Sequence, residues 1–226
     1  MSELEQSVIL LSLKTALVAT LLILPPAVAF AWVSARKSFP FKSMVEALFS
    51  LPLTAPPVVT GYLLLLALGR NSFIGSTVYD LFGIRLTFSF AALVIASMVV
   101  SFPLSVRAIR TSFMSVDPAY EQASLTLGAS RIATFFRVSL PLAAPGIISG
   151  AVLAFARSLG EFGATITLAG NIAGKTQTAS LLIYSHMQVP GKEMETIRLT
   201  IFCLVLAFAA IAVSEWINKK HRSIHR

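Results

Sequence analysis

Five apolar blocks, each long enough to cross a bilayer, decide most of what this chain can be. They cover residues 8–33, 44–68, 86–104, 142–166 and 197–216. The hydrocarbon core of a membrane is about 30 Å thick, which a helix of about 20 residues spans. No water reaches that depth, so backbone N–H and C=O groups must pair within their own segment, and that selects helices over open sheet. Charged residues make up 12% of the 226 and apolar ones 56%, against about 25% charged in a soluble domain. Little is left outside the blocks except connections. The expected fold is therefore an all-α integral membrane bundle, one domain over 8–216 followed by a basic tail at 217–226.

The charges orient that bundle. A net charge of +8 could point to nucleic acid, but the basic residues are scattered between apolar blocks with no aromatic interleaving, so membrane topology accounts for them better. The first block imitates a signal peptide, yet Glu3 and Glu5 stand where such a peptide carries positive charge, and it reads as a retained helix kinked at Pro25-Pro26. With five spans the two ends lie on opposite sides. Arg36, Lys37, Lys42, Arg107, Arg110, Arg131, Arg137 and the tail's Lys219, Lys220, Arg222 and Arg226 fall on one side; the other holds acidic Glu3, Glu5, Asp80, Glu193 and Glu195 among fewer bases. By the positive-inside rule the N-terminus is outside and the C-terminus cytoplasmic, in a multi-pass protein of the cell membrane. Cys203 is the only cysteine, so no disulfide framework or cysteine metal site can form within one chain, and no metal site is expected.

Two blocks contain residues that a plain span would avoid. Pro52, Pro56, Pro57 and Gly61 interrupt the second, so its first half should be irregular. Irregular backbone at membrane depth is tolerated where it is buried in protein or lines a cavity. The segment is either a pathway wall or a kinked packing helix. The fourth block sets Gly146, Gly150 and Ala154 on one stripe, which permits close helix approach, and then places Arg157 and Glu161 one turn apart, with Gly160 and Gly163 beside them. Ionisable groups at the centre of a span cost about 2.5–3.5 kcal/mol each, so they face the bundle interior or a pore. The pair is either a structural ion pair or a source of positive potential along an anion pathway. Between the last two blocks, residues 180–188 suggest a short helix. The run Gly170-Asn171-Ile172-Ala173-Gly174-Lys175-Thr176 nearly spells a phosphate-binding loop. It has three residues between its glycines instead of four and no strand before it, so nucleotide binding is rejected and the energy for any pumping must come from a partner.

Residues 117–141 form the polar interruption between the third and fourth blocks. Asp117 can cap a helix, Pro118 suits its first position, and Glu121 complements the dipole in the opening turn. Gly128 suits a left-handed residue ending that helix, Ser130 can cap the next, and a second piece runs from Arg131 to a stop at Pro141. Glu121-Gln122-Ala123, the glycine seven residues after the Glu, and Val138-Ser139-Leu140-Pro141 together resemble the EAA loop of binding-protein-dependent ABC importers, with Gln122 in place of an Ala and Val138 in place of an Ile. That resemblance implies a cytoplasmic coupling helix docked on an ATPase, with Tyr120, Glu121, Gln122, Ala123, Leu127, Gly128, Ala129, Leu140 and Pro141 as the coupling residues.

A second resemblance covers almost the whole chain. Ala156-Arg157-Ser158-Leu159-Gly160-Glu161-Phe162-Gly163-Ala164-Thr165 is similar to a segment shared by molybdate, tungstate and sulfate permease subunits. Ala55-Pro56-Pro57-Val58-Val59-Thr60-Gly61, Gly69-Arg70-Asn71-Ser72-Phe73-Ile74-Gly75 and Ser101-Phe102-Pro103-Leu104-Ser105-Val106-Arg107 resemble the molybdate members. The resemblance implies a MetI-like permease of five core transmembrane helices, working as two copies with two cytoplasmic ATPase subunits and an extracytoplasmic oxyanion-binding protein. ATP and Mg would be used by the ATPase partner; this chain would not itself be an enzyme and would bind no cofactor. Arg157, Gly160, Glu161, Gly163, Pro56, Pro57 and Gly61 become the candidate anion pathway. Sulfate, thiosulfate or tungstate are the alternative cargoes, and a passive anion channel is the alternative class.

Overall fold

The computed structural model describes residues 2–224, and within them every side chain except those of 214 and 216–224. The described residues contain helices and no strand. In chain order they are α1 (Glu3–Arg36), α2 (Lys42–Thr54), α3 (Pro57–Leu68), α4 (Phe73–Phe82), α5 (Phe90–Ser115), α6 (Pro118–Thr126) and α7 (Arg131–Thr134). A π turn (Phe135–Ser139) follows, then α8 (Leu140–Leu142), α9 (Ala144–Leu159), α10 (Gly163–Leu168), α11 (Ala179–His186) and α12 (Glu193–Ile224). Three helices, α1, α5 and the Glu193–Val213 part of α12, are long and apolar enough to cross a membrane. Two bent pairs, α2 with α3 and Arg131–Leu142 with α9, bring the number to five.

The core is an α1–α5–α9 bundle. At 34 residues, α1 is about 51 Å long, longer than a bilayer is thick. It begins with a capping box: Ser2 Oγ accepts from the Glu5 N–H at 3.3 Å and Glu5 Oε2 accepts from the Ser2 N–H at 2.7 Å. Ala16, Ala19, Ala27 and Ala31 are fully buried along its packed face, where small side chains let backbones approach. The expected glycine stripe does the same for α9. A Cβ on Gly146 would come within 2.1 Å of Ser112 Cβ, and one on Gly150 within 2.7 Å of Ile109 Cγ1, both on α5. Around Ile109, Phe113 and Ala143 an apolar cluster ties the three helices together.

The two ends of the bundle have different contents. Arg36, Glu46, Arg110 and the 117–139 segment gather at one end, joined by Arg36 to the Val116 carbonyl (2.9 Å) and Arg110 to Glu46 (3.1 Å). At the other end Lys14 Nζ lies 5.1 Å over the Phe90 ring, and the Phe88 N–H donates to the Leu168 carbonyl at 3.1 Å. The α2–α3 pair runs from the first end to the second.

Several boundaries depart from the sequence reading. The helix α1 continues through Pro25 and Pro26. The first half of the second block is regular helix despite Pro52, and the break falls at Ala55-Pro56, where the chain bends by 112°. Ala55, the residue before Pro56, is extended (ψ 147°), the region to which a following proline pushes its predecessor. The connection 70–85 holds α4, capped by Ser72 and closed by left-handed Gly83. The third span reaches Ser115, beyond 104. The fourth stops at Leu159 and restarts at Gly163. The backbone of α12 runs on to Ile224, past the expected end at 216; Lys219, Lys220, Arg222 and Arg226 of the tail lie outside the described side chains.

Candidate functional site

Two places concentrate the features singled out in the sequence: the 117–141 hairpin at one end of the bundle, and the junction where α3 crosses the break between α9 and α10.

The hairpin is held by local chemistry. Asp117 accepts from the Ala119 N–H at 2.9 Å, and Pro118 occupies the first helical position. The helix α6 closes with the Gly128 N–H on the Leu125 carbonyl and the Ala129 N–H on the Ser124 carbonyl, at 3.0 and 3.1 Å. This is the Schellman pattern, which needs a left-handed residue after the cap; Gly128 supplies it with φ 87°. Ser130 then accepts from the Ala133 N–H at 3.2 Å to start α7, and the Ser124 and Thr134 hydroxyls join the two arms at 3.0 Å. Tyr120 (61% exposed) and Leu127 (89% exposed) stand outward, with Gln122, Ala123 and Pro141 also exposed. Large apolar side chains outward on a polar hairpin mark a contact surface.

Glu121 points the other way. Its Oε1 accepts from Arg36 Nε at 3.0 Å and from Ser139 Oγ at 2.8 Å, while Arg36 also holds the Val116 carbonyl. One carboxylate thus ties the hairpin to the end of α1 and to its own second arm. Sequence reasoning named Glu121 but missed Arg36 and Ser139, since nothing local links residues so far apart. The second arm also differs from expectation. It does not stop at Pro141; it widens into the π turn and enters α9 across a 70° bend at Ala143. Proline inside a helix lacks the N–H and its ring crowds the carbonyl four residues back. A wider turn, with the Leu140 N–H on the Phe135 carbonyl, relieves that crowding.

At the junction, α9 ends at Leu159, Gly160 sits in open space, and α10 begins at Gly163. Glu161, with its side chain 1% exposed, makes the break possible. Its Oε1 accepts from the Ala164 N–H at 2.7 Å, satisfying one donor freed at the start of α10. Its Oε2 lies 2.7 Å from Arg157 Nη1, an ionic contact without the alignment of a hydrogen bond. The pair expected from one-turn separation is present, with the carboxylate buried and the guanidinium half-buried beside it, an arrangement that both readings of the pair share.

Across from it, α3 packs directly on α10. A Cβ on Gly163 would lie 2.6 Å from Pro57 Cβ. One on Gly61 would lie 1.8 Å from Thr167 Oγ1 and 2.7 Å from Ala164 Cα. Pro57, Gly61, Glu161 and Gly163 are therefore brought together, with Arg157 held against them through Glu161. Pro56, at the bend before α3, and Gly160 lie beside this contact without entering it. The backbones touch here because neither glycine carries a side chain.

The near-phosphate loop folds back on itself. The N–H groups of Lys175, Thr176 and Gln177 all donate to the Ile172 carbonyl, at 3.0, 2.9 and 3.1 Å.

The arrangement of these helices is shared with known proteins. The family described as the binding-protein-dependent transport system inner membrane component matches residues 27–223. This chain belongs to that family. Among its relatives is the molybdenum transport system permease protein ModB of Haemophilus influenzae, 51% identical over 216 residues, covering 96% of this chain and 94% of the relative. The protein of the same name from Escherichia coli K12 is 50% identical over 218 residues, covering 96% and 95%. The fold is similar to that of a bacterial ABC transporter involved in the import of the acidic polysaccharide alginate, with a TM-score of 0.73 at 17% identity over 97% of this chain and 80% of that one. As a binding-protein-dependent permease, the chain is the inner-membrane component of an ABC importer.

Proposed function

We propose that this permease carries molybdate across the cell membrane. Two copies would form the pathway, and an extracytoplasmic oxyanion-binding protein would deliver the anion. Two cytoplasmic ATPase subunits, using ATP and Mg, would drive the cycle through the 117–141 hairpin. The N-terminus is then outside and the C-terminus cytoplasmic. The observation that carries the reading is identity of about half the residues, over nearly the full length, with permeases named for molybdenum transport.

The geometry supports a division of labour. Exposed Tyr120 and Leu127 offer the ATPase an apolar foothold, Glu121 passes displacement to α1 through Arg36, and the rigid second arm passes it to α9. The α3–α10 contact is where the two halves of the wall would part. ATP binding would close the ATPase pair and turn the bundle outward; hydrolysis would reset it. The test is uptake of labelled molybdate by a permease-deletion strain carrying this gene, with sulfate, thiosulfate and tungstate as competitors. Uptake that requires the ATPase subunit and is blocked only by tungstate fits the proposal. Uptake suppressed by sulfate or thiosulfate reassigns the cargo, and uptake that continues without any ATPase makes the protein a passive channel.

A further inference from the structure

We infer that the end of the bundle remote from the hairpin carries a receiving site for a tetrahedral oxyanion, built from Arg70, Arg85 and Lys175 around Tyr79. The inference rests on the importer reading above and names where the permease first meets its cargo.

These side chains line one hollow of about 630 Å³, between the end of α3, α4, the start of α5 and the turn after α10. Arg70 lies 4.5 Å from the centroid of the Tyr79 ring and Arg85 lies 6.0 Å from it. One aromatic ring therefore holds both guanidiniums. Lys175 enters from the opposite rim on a turn fixed by the three N–H bonds to Ile172. No Asp or Glu lines the hollow, and none of the three cations pairs with a carboxylate among the described residues. Arg157, the cation the sequence offered, has its charge answered by Glu161. At this end of the bundle, three cations without a carboxylate partner gather in one hollow.

Three such charges act together. A lone exposed cation is screened within about 8 Å at physiological salt, but several lining one concavity sum their potentials and raise the local concentration of a counter-ion. A tetrahedral dianion fits the hollow together with bound water, and the Thr87 hydroxyl at its wall can donate to it. The rims are continuous with the junction: α3 ends at Leu68 and delivers Arg70, while α10 ends at Leu168 and leads to Lys175. The Phe88 N–H on the Leu168 carbonyl pins the Arg85–Phe88 strap to that same end. Parting α3 from α10 at Gly61 and Gly163 would separate the cations and release what they hold toward the opening.

The experiment uses the complete complex, permease with its ATPase subunits in proteoliposomes, driven by the molybdate-loaded binding protein that stimulates the wild type. In the triple variant R70Q/R85Q/K175Q, uptake at saturating binding protein should fall about tenfold or more, the size expected from losing electrostatic focusing. The binding-protein concentration for half-maximal ATPase stimulation should stay unchanged, and K175R should keep full uptake. If the triple variant fails to assemble, each single neutralisation should still lower uptake and flatten its dependence on ionic strength. A raised half-saturating concentration with full uptake at saturation would make the hollow a dock for carboxylates of the binding protein and overturn the inference. A loss that follows the anionic-lipid content of the vesicles would make it a headgroup site, with the same consequence, and unchanged uptake would also overturn it. Absence of ATP-driven molybdate uptake by the wild-type complex would instead sink the importer reading and take this inference with it.

Discussion

The hairpin and the α3–α10 junction are built in opposite ways. The hairpin's shape comes from neighbours in sequence: an Asp cap, a left-handed glycine, a Ser cap, and hydroxyls that join its arms. Long-range contact enters through Glu121. At the junction almost nothing is local. Pro57 meets Gly163 and Gly61 meets Ala164 and Thr167, residues from distant spans, with a buried carboxylate filling the gap in the helix. A part built from local bonds keeps its form while it is pushed. The junction brings two backbones together at its glycines, with Leu64, Leu65 and Leu68 packed against the cluster of Ala164 and Leu168 beside them.

That contrast predicts a ranking of mutational effects. The largest belongs to the junction. Gly61→Val should abolish recovery of an assembled permease from membranes, measured as monodisperse protein by size exclusion, because even a Cβ there meets Thr167 Oγ1 and the Ala164 backbone. A well-assembled, fully active G61V protein would show that α3 and α10 do not touch.

Next comes Glu161→Ala, which leaves Arg157 unpaired beside an unsatisfied helix start. Breaking a buried pair costs about 3–5 kcal/mol. The thermal midpoint of the solubilised complex should drop sharply, and R157A/E161A should recover part of the loss. A double variant as unstable as E161A would assign the effect to the lost Ala164 bond alone.

The hairpin should respond with less loss of protein and more loss of work. Arg36→Ala and Glu121→Ala should each leave the complex assembled with ATPase activity but lower uptake per ATP, and the double variant should be no worse than either. Coupling between the two positions of about 0.5–3 kcal/mol is the range for residues in direct contact. Additive losses would mean that Arg36 and Glu121 act separately. The smallest effect is at Ser130→Ala. Losing an N-cap costs about 1 kcal/mol, seen as faster amide exchange over 130–134 with uptake nearly unchanged. A large loss of uptake there would mean that the hydroxyl faces a partner.

The same contrast governs what could be read in advance. The hairpin was legible because caps and glycine turns act over three or four residues: Asp117, Pro118, Gly128 and Ser130 all take the expected places. The helical spans were legible from apolar length, and the stripe of Gly146, Gly150 and Ala154 from its spacing. The ion pair of Arg157 with Glu161 followed from one-turn separation. The partners of Glu121 did not, because Arg36 and Ser139 reach it only once α1, α5 and α9 have packed. Nor did the break at 160–162: Gly160 is weak as a signal, and the capping carboxylate lies inside the apolar block where a continuous span was expected. The stop expected at Pro141 failed for a physical reason, since a π turn offers a proline a route that neither ends the helix nor leaves the clash in place.

That over-wide lap at Phe135–Ser139 sets the rotation at which the chain enters α9. One extra residue advances every later side chain by about 100° around the axis. Pro141 has no N–H with which to rebuild a tighter ladder, so the offset is frozen. The face that α9 turns to α1 and α5 is therefore fixed by a residue that lies outside α9 itself.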